Sequence, residues 1–152
     1  MEAIYDEYSD TVFHTAFVYV KNIMEAEDIT SEVFIKYFRR EKRFDDRNHE
    51  KAWLIRVTIN QCKDLFKSFG FKNRISIEDY NPYCETLDES YVLEAVMKLP
   101  KKYREAIHLF YFEGYSTEEI GKITKTNSIT IRTRLSRARK MLKKSLGEEF
   151  CI

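Results

Sequence analysis

The stretch "STEEIGKITKTNSITIRTRLSRARKML", residues 116–142, decides the fold of the second half of the chain. Its first four residues form a capping box, in which Ser116 caps a helix and Glu119 reaches back to the capping backbone. A polar turn, "TKTNS", follows, and Asn127 or Ser128 can cap the next helix. A capped helix, a tight turn and a second, basic helix predict a helix-turn-helix arrangement.

The second helix of this pair has one apolar and one basic side. Four apolar residues recur at helical spacing and are expected to pack inward: Ile131, Leu135, Ala138 and Leu142. In a helix-turn-helix, the second helix enters the DNA major groove and its N-terminal residues reach base edges. By position, the base-reading candidates are Thr130, Arg132, Thr133, Ser136 and Arg137. Arginine at such a position can bind guanine through two hydrogen bonds.

Contacts to DNA phosphates position a protein without reading sequence. We expect them from Arg134, Arg139 and Lys140. Ser116, at the start of the preceding helix, is also expected to contact the DNA. A basic amphipathic helix alone would equally suit a solvated surface or a calmodulin-like target. The capping box and the turn at the right spacing favour DNA binding.

The composition favours a helical protein with two electrostatically different halves. The 152 residues are 43% hydrophobic and 34% charged, with only 4 Gly and 2 Pro. Residues 98–152 hold 13 Lys and Arg against 6 Asp and Glu, whereas residues 1–97 hold 13 against 19. Such asymmetry predicts two parts with different partners, the basic part being the candidate nucleic-acid binder.

Several classes of protein are disfavoured. Cys62, Cys84 and Cys151 are far apart and odd in number, which argues against a disulfide framework or a zinc site and favours reduced thiols in a cytoplasmic protein. The first ten residues do not resemble a signal peptide. The longest apolar stretch, "IHLFYF" (107–112), is too short to span a bilayer, so no direct membrane insertion is expected.

Apolar residues at helical spacing predict three helices in the first half, over about residues 4–20, 25–40 and 51–67. Between the last two, "KRFDDRNHEK" (42–51) is polar and is interpreted as a turn. The aromatic content and acidity of this half do not by themselves identify a ligand or partner.

The segment "SFGFKNRISIEDYNPYCETLD" (68–88) breaks the helical pattern and predicts an extended linker. Asp88 can cap a helix that runs to about Leu99. Pro100 suits the first position of the next helix, and Gly114 suits its C-terminal stop.

Four segments in order resemble the successive motifs of bacterial extracytoplasmic-function sigma factors, the small promoter-recognition subunits of RNA polymerase. They are "EAEDITSEVFIKYFRR", "AWLIRVTINQCKDLFKS", "LPKKYREAIHLFYFEGYSTEEIGKI" and "ITIRTRLSRARKML". The resemblance implies an all-α fold of two small helical domains. Residues 1–67 would be sigma region 2, residues 68–88 a flexible linker, and residues 89–152 sigma region 4, whose helix-turn-helix reads the −35 element.

The helix over residues 25–40 resembles the polymerase-binding segment of region 2, which docks on the clamp of the largest catalytic subunit. The implied contact residues are Asp28, Ile29, Glu32 and Phe34. An acidic and apolar face suits a basic helical partner. The alternative is that Ile29, Val33 and Phe34 are simply core. We expect Val33 in the core and the two acids facing the partner.

The loop "RFDDRNHEK" and the helix after it resemble the part of region 2 that reads and melts the −10 element. The implied contacts are Arg43, Asp46, Arg47, Asn48, Trp53, Arg56, Asn60, Lys63 and Lys67. In this family a non-template base is flipped into a protein pocket, and unstacking a base is what allows its edge to be read fully. Asn60 offers a donor and an acceptor for such an edge. Trp53 can stack on DNA, although a lone large aromatic on an apolar face is more often core.

The resemblance implies a protein with no catalytic activity of its own and no cofactor. The expected partners are core RNA polymerase, through its clamp and flap, promoter DNA, and an anti-sigma factor, which in this family is often membrane-anchored. The chain departs from the family at Gly121, where Ala is frequent; glycine costs a helix up to about 1 kcal/mol.

Two other classes of function are weighed against this interpretation. One is a helix-turn-helix regulator that binds DNA alone, with a first module that senses a ligand or dimerises. The polymerase-binding motif and the long linker argue against it. The other is an enzyme such as a nuclease, but His14, His49 and His108 are scattered among helices, and the sequence has no recognisable acid pair, metal-ligand cluster or phosphate loop.

Overall fold

The computed structural model describes residues 2–68 and 87–147, and every regular element in these ranges is a helix. The described chain divides into two compact units, one in each range. The first unit contains α1 (Glu2–Val20), α2 (Ile23–Phe38) and α3 (Arg47–Lys67). The second unit contains α4 (Leu87–Met97), α5 (Lys101–Ile107), a π-helical segment (His108–Phe112), α6 (Thr117–Thr124) and α7 (Ser128–Leu146). The predicted all-α fold is confirmed.

In the first unit, α1 packs against α2 and α3, and α2 packs against α3. Apolar residues from all three helices are almost fully buried between them, as the helical spacing predicts. They include Val12, Ala16, Val20, Ala26, Val33, Leu54, Ile55 and Ile59. Since each helix contributes a stripe to this core, its remaining faces are available to solvent and partners.

The start of α3 differs from the prediction. The helix begins at Arg47, so residues 47–51 are helical rather than a turn. The Asp46 carboxylate accepts a hydrogen bond from the Asn48 backbone N–H at 2.9 Å and caps the helix. The first turn of α3 is exposed and consists of polar residues. It therefore lacks the apolar periodicity from which the rest of the helix was predicted.

In the second unit, α7 packs against α4, α5 and α6. Its inward residues are those predicted, since Ile131, Leu135, Ala138 and Leu142 are all buried. Gly114 adopts φ +75° after the π-helical segment, a left-handed conformation that favours glycine and ends the helix. Pro100 is the N-cap of α5 rather than its first residue.

Most of the predicted linker, 68–88, lies outside the described residues. At its end, Leu87 and Asp88 belong to α4. Asp88 is therefore the second residue of this helix and not its cap. The exact boundaries of the two domains stay a prediction.

The helix-turn-helix has the predicted local chemistry. Ser116 and Glu119 form a complete capping box at the start of α6, and the Asn127 side chain caps α7 by accepting from the Ile129 N–H at 2.8 Å. Lys125, in the left-handed conformation at φ 54°, ends α6. These contacts fix the turn that sets α7 against α6.

Gly121 lies where the turn approaches α6 most closely. Its carbonyl oxygen accepts a hydrogen bond from the Thr126 N–H at 2.9 Å. A Cβ atom at Gly121 would lie 2.6 Å from the Thr126 carbonyl oxygen and 3.4 Å from the Ser128 nitrogen. Gly121 lowers the propensity of α6 to form a helix, but its lack of a side chain leaves the space that the backbone of the turn occupies in this fold.

Candidate nucleic-acid interface

The exposed side of α7 carries all five predicted base-reading residues. The buried residues of α7 occupy one side of the helix, so the 3.6-residue period turns the other positions toward solvent. The five side chains on that exposed side are Thr130, Arg132, Thr133, Ser136 and Arg137. Lys140, a predicted phosphate contact, is exposed with them. The structure thus brings the predicted base-reading set together on one helix face.

An apolar residue on the same face escaped the sequence prediction. Ile129 is 67% exposed in the first turn of α7. An exposed aliphatic group at this position could contact a thymine methyl group, which projects into the major groove. The signal was present in the sequence, because Ile129 does not fit the inward series that starts at Ile131.

One base-reading candidate of α7, Arg132, forms an ion pair with Glu118 of the neighbouring helix, α6. A nitrogen of the Arg132 guanidinium, Nη2, donates to Glu118 Oε1 at 2.7 Å, and both side chains are more than half exposed. The Thr117 hydroxyl donates to the other carboxylate oxygen, Oε2, at 3.1 Å. Hydrogen bonds from its own backbone N–H, then from Thr117 and from Arg132, hold the pKa of the Glu118 carboxyl below its ordinary value. Glu118 is therefore ionised at neutral pH.

The predicted phosphate contacts differ in their surroundings. Arg139 is only half-exposed, and its Nε donates to the Tyr111 hydroxyl at 2.6 Å. Its guanidinium carbon lies 5.8 Å and 5.7 Å from the ring centres of Phe110 and Tyr111. Position 139 borders the buried side of α7, so Arg139 links α7 to the π-helical segment, a role that the prediction missed.

The Ser116 hydroxyl accepts from the Glu119 N–H at 3.1 Å and serves first as a cap.

The α2 helix presents an acidic surface, but two of the four residues predicted to contact the polymerase are buried in the core of the first unit. Asp28 and Glu32 are exposed. Ile29 and Phe34 are each 3% exposed and Val33 is 0% exposed, because they form the face of α2 that packs in the three-helix core. The prediction that Ile29 and Phe34 lie on the partner-binding surface is corrected: their side chains are core.

Three other apolar residues of α2 are exposed, and the first of them, Met24 at the start of the helix, is 71% exposed. Ile35 is 48% exposed and Phe38 is 40% exposed. Ile35 follows Asp28 and Glu32 at intervals that put all three on one side of the helix. The Glu32 carboxylate also accepts a hydrogen bond from the Gln61 side-chain amide, whose oxygen accepts from Lys36 Nζ at 2.6 Å. The surface of α2 is thus connected directly to α3.

The exposed side of α3 carries the predicted polar and basic residues. Asn60, Lys63 and Lys67 are exposed at spacings of three and four residues, which place them on one face. Arg56, one turn earlier, is half-buried, and its Nε atom is buried without a hydrogen-bond partner. The structure therefore aligns these four residues along α3.

The loop before α3 and the first turn of α3 supply fewer free side chains than predicted. Asp46 is occupied as the helix cap. Arg47 forms an ion pair with Glu7 of α1 at 3.3 Å, although its side chain is mostly exposed. Arg43 and Asn48 are exposed. In the structure Asp46 serves the fold, and the role of the other three as DNA contacts stays a prediction.

Trp53 packs in an aromatic cluster rather than standing free. Its ring centre lies 5.7 Å from that of Phe44 and 6.1 Å from that of Tyr37. The Arg40 guanidinium carbon lies 4.6 Å from the Trp53 ring and 3.9 Å from the Phe44 ring, within the range of cation–π attraction. These contacts favour the structural role of Trp53 over stacking on DNA.

A cavity of about 510 Å³ opens beside this cluster, and sequence reasoning did not find it. It is lined by Ile4, Tyr37, Phe38, Arg40, Lys42, Arg43, Phe44 and Glu50. The Tyr37 hydroxyl donates to Glu50 at 2.8 Å, and burial, followed by this hydrogen bond, raises the pKa of Tyr37 to about 12. The Arg40 Nη1 atom is buried without a hydrogen-bond partner. Aromatic rings beside cationic groups suit a nucleobase with its phosphate.

Within residues 2–68 and 87–147, no helix is both long and apolar enough to cross a membrane. In the same ranges, no three His, Cys, Asp or Glu side chains are grouped so that they could hold a metal ion.

Comparison with protein families gives two matches in this chain. The model of sigma-70 region 2 matches residues 4–69, and the model of sigma-70 region 4 matches residues 89–142. Together they cover most of both described units, and the second match includes α6 and α7 as far as residue 142.

Two curated proteins illustrate the similarity. The ECF RNA polymerase sigma factor BldN of Streptomyces coelicolor is 29% identical, over 96% of this chain and 60% of that protein. The ECF RNA polymerase sigma factor SigW of Bacillus subtilis is 28% identical, over 95% of this chain and 88% of that protein. The chain therefore spans less than two thirds of the length of the first relative and most of the second.

Among solved structures, the sigma factor RpoE in complex with the anti-sigma factor NepR from Bartonella quintana matches with a TM-score of 0.77 and 24% identity. The match covers 96% of this chain and 98% of that chain. At this level of identity, the likeness establishes a shared fold.

Proposed function

Because this chain belongs to the sigma-70 family, we propose that it is an RNA polymerase sigma factor of the extracytoplasmic-function type, which directs core polymerase to specific promoters. One observation carries this proposal: regions 2 and 4 occur in order, and region 4 presents an exposed basic recognition helix. Catalysis would belong to the core enzyme. Co-elution of the full chain with purified core polymerase tests the proposal, and binding to duplex DNA as a dimer without polymerase would contradict it.

In this proposal, α7 reads the −35 element as duplex. Its exposed polar and basic side faces the major groove, while its buried side holds it to α4, α5 and α6. Lys140 and Arg134 would contact phosphates. Ile129, at the helix start, would add an apolar contact.

Replacement of one base-reading arginine tests this assignment. Arg137→Ala is expected to weaken promoter binding about 10-fold and to relax base preference at one −35 position, because a bidentate contact to guanine is lost. Selection of bound duplexes from a randomised pool, with variant and wild-type holoenzyme, measures both effects.

Lys140→Ala is the matched control, since it removes one positive charge from the same face. It should lower affinity for all sequences alike and reduce the salt dependence. An unchanged selection profile for Arg137→Ala would show that this side chain reads no base.

The first unit would read and melt the −10 element. Asn60, with Lys63 and Lys67 along the same side of α3, can meet a base edge and the adjoining backbone. The cavity beside Arg40 and Phe44 is a concave site in the same unit for an unstacked base. Its aromatic and cationic lining supports the extrusion of a base during melting.

A substitution on α3 separates melting from duplex binding. Asn60→Ala is expected to reduce open-complex formation roughly 10-fold with little change in duplex binding, because its amide contacts a base only after unstacking. Permanganate reactivity of promoter thymines reports melting, and electrophoretic mobility of the closed complex reports binding.

Asn60→Leu is the matched variant, because it keeps about the same side-chain size and removes the amide donor and acceptor without adding a charge. It should show the same melting defect. If Asn60→Ala lowers closed-complex and open-complex formation equally, Asn60 contributes to general DNA affinity and not to melting.

The partners extend beyond DNA. Asp28, Glu32 and Ile35 form an exposed acidic and apolar surface on α2 that suits a basic helical partner, which we assign to the polymerase clamp. Region 4 would contact the flap.

The matched structure contains an anti-sigma factor, and an inhibitor of that kind is proposed for this chain. Such an inhibitor would be either free or anchored in the membrane. The site of action is the cytoplasm, where polymerase and promoter are present.

A further inference from the structure

Glu118 joins the two helices of the helix-turn-helix on their exposed side. One carboxylate oxygen accepts from Arg132 Nη2 at 2.7 Å, and the other accepts from the Thr117 hydroxyl at 3.1 Å. With both oxygens engaged, the carboxylate has a defined orientation at the start of α6. The Arg132 side chain is in turn directed by a group outside its own helix.

We propose that Glu118 is a positioning residue that orients the Arg132 guanidinium toward a base edge and so sets base preference at one position of the duplex element. This inference rests on the proposed function, because it requires that α7 reads duplex DNA. The recognised chemistry is the acceptor pair of a guanine, O6 and N7.

The geometry leaves Arg132 free to make such a contact. A guanidinium carries five N–H donors, and the ion pair with Glu118 uses the Nη2 group. The remaining donors suffice for the two hydrogen bonds to guanine. A long arginine side chain otherwise loses rotamer freedom when it binds, and the carboxylate restricts that freedom before DNA arrives.

Stability of the fold does not account for this pair. Both side chains are exposed, at 62% and 58%, and exposed ion pairs contribute little to stability because water screens them. The start of α6 is already satisfied by the capping box between Ser116 and Glu119. The Glu118 carboxyl adds to this start only the hydrogen bond from its own backbone N–H and a favourable interaction with the helix dipole, and neither of these needs Arg132.

The same carboxylate acts against general DNA affinity. It is ionised at neutral pH, since its hydrogen bonds lower its pKa, and a negative charge beside the recognition helix repels phosphates. A residue that lowers binding to all sequences while orienting one arginine increases the ratio of specific to non-specific binding. Removal of Glu118 should therefore raise general DNA affinity and lower base preference. A residue with a merely electrostatic or structural role would not change these two quantities in opposite directions.

The test uses the full chain with core polymerase and duplexes selected from a randomised pool. Arg132→Ala first identifies the position that Arg132 reads. Glu118→Ala is then expected to reduce guanine preference there about 5-fold to 10-fold, with equal or stronger binding to random duplex. Glu118→Gln keeps an acceptor oxygen and should give a smaller loss. Circular dichroism of each variant checks that the helices remain.

Glu94→Gln is the matched control, because Glu94 is an exposed acid of the same unit that pairs with Lys98 at 3.3 Å. It changes the net charge equally and should leave base preference unchanged. Unchanged preference in Glu118→Ala would overturn the inference, as would an equal loss at the position read by Arg137. If the wild-type holoenzyme selects no motif at all, the proposed function itself fails and the inference fails with it.

Discussion

Reversal of two charges on α2, Asp28→Arg together with Glu32→Arg, is expected to abolish stable binding to core RNA polymerase while the fold survives. Both side chains are exposed and lie one helical turn apart. If their partner is basic, the new arginines place like charges in the interface, which costs several kcal/mol. The affinity should therefore fall by a factor of about 100 or more.

Co-elution with core polymerase on gel filtration measures this loss, and thermal unfolding followed by circular dichroism checks the fold. Glu32→Arg also removes the hydrogen bond from Gln61, but that contact lies at the surface and its loss should cost little. The double variant Asp6→Arg with Asp10→Arg is a close control. Those exposed acids of α1 have the same spacing, and their reversal changes the net charge equally.

The control variant should co-elute with polymerase as the wild type does. If the α2 variant also co-elutes normally, the acidic surface is not the docking site. If both variants lose binding equally, net charge rather than a local surface governs association, and the assignment to α2 fails.

A second large effect is expected from Gly121→Ala, which should destabilise the second unit and weaken −35 binding. The added Cβ would lie 2.6 Å from the Thr126 carbonyl oxygen, a backbone atom that can move only if the turn moves. Overpacking of this kind costs about 1–3 kcal/mol, and the better helix propensity of alanine returns less than about 1 kcal/mol. A net loss of about 1 kcal/mol, and at most about 2 kcal/mol, should remain.

Hydrogen exchange of the α6 and α7 backbone amides measures this loss locally, which matters because the two units need not unfold together. Lys122→Ala is the matched control on the next residue of α6. Lys122 is exposed, so its replacement changes little besides helix propensity. Equal protection in the two variants would show that the turn tolerates a side chain at position 121.

The helix-turn-helix was predictable in detail because its determinants are local. The capping box lies within four consecutive residues, and the Asn127 cap contacts a backbone N–H two residues away. The four inward residues of α7 recur at helical spacing. Contacts between residues so close in sequence do not depend on the rest of the fold, and propensity and periodicity therefore identify them.

The surface of α2 was harder to predict for a physical reason. Its apolar residues occupy more than one side of the helix, and periodicity does not say which side the other helices cover. Ile29 and Phe34 proved to be core, whereas Ile35 and Phe38 are exposed. Only the packing of α1 and α3 against α2 distinguishes these two pairs.

Features made by distant residues could not be read from the sequence. The cavity joins Ile4 of α1 to Phe44 and Glu50, which are far along the chain. The Glu118–Arg132 pair spans the turn between two helices. The need for glycine at position 121 follows from the position of the Thr126 carbonyl oxygen. Helix propensity predicts only that glycine destabilises α6, and it does not reveal this close approach.

Run-off transcription tests the central claim most directly. Purified core RNA polymerase, with and without the full chain, is incubated with sheared genomic DNA of the source bacterium and nucleotides. A sigma factor should produce discrete new transcripts that are absent with core enzyme alone, and their start sites should share upstream elements. If no new transcripts appear and the chain instead binds duplex DNA tightly without polymerase, the chain is a stand-alone regulator and its assignment as a sigma factor is wrong.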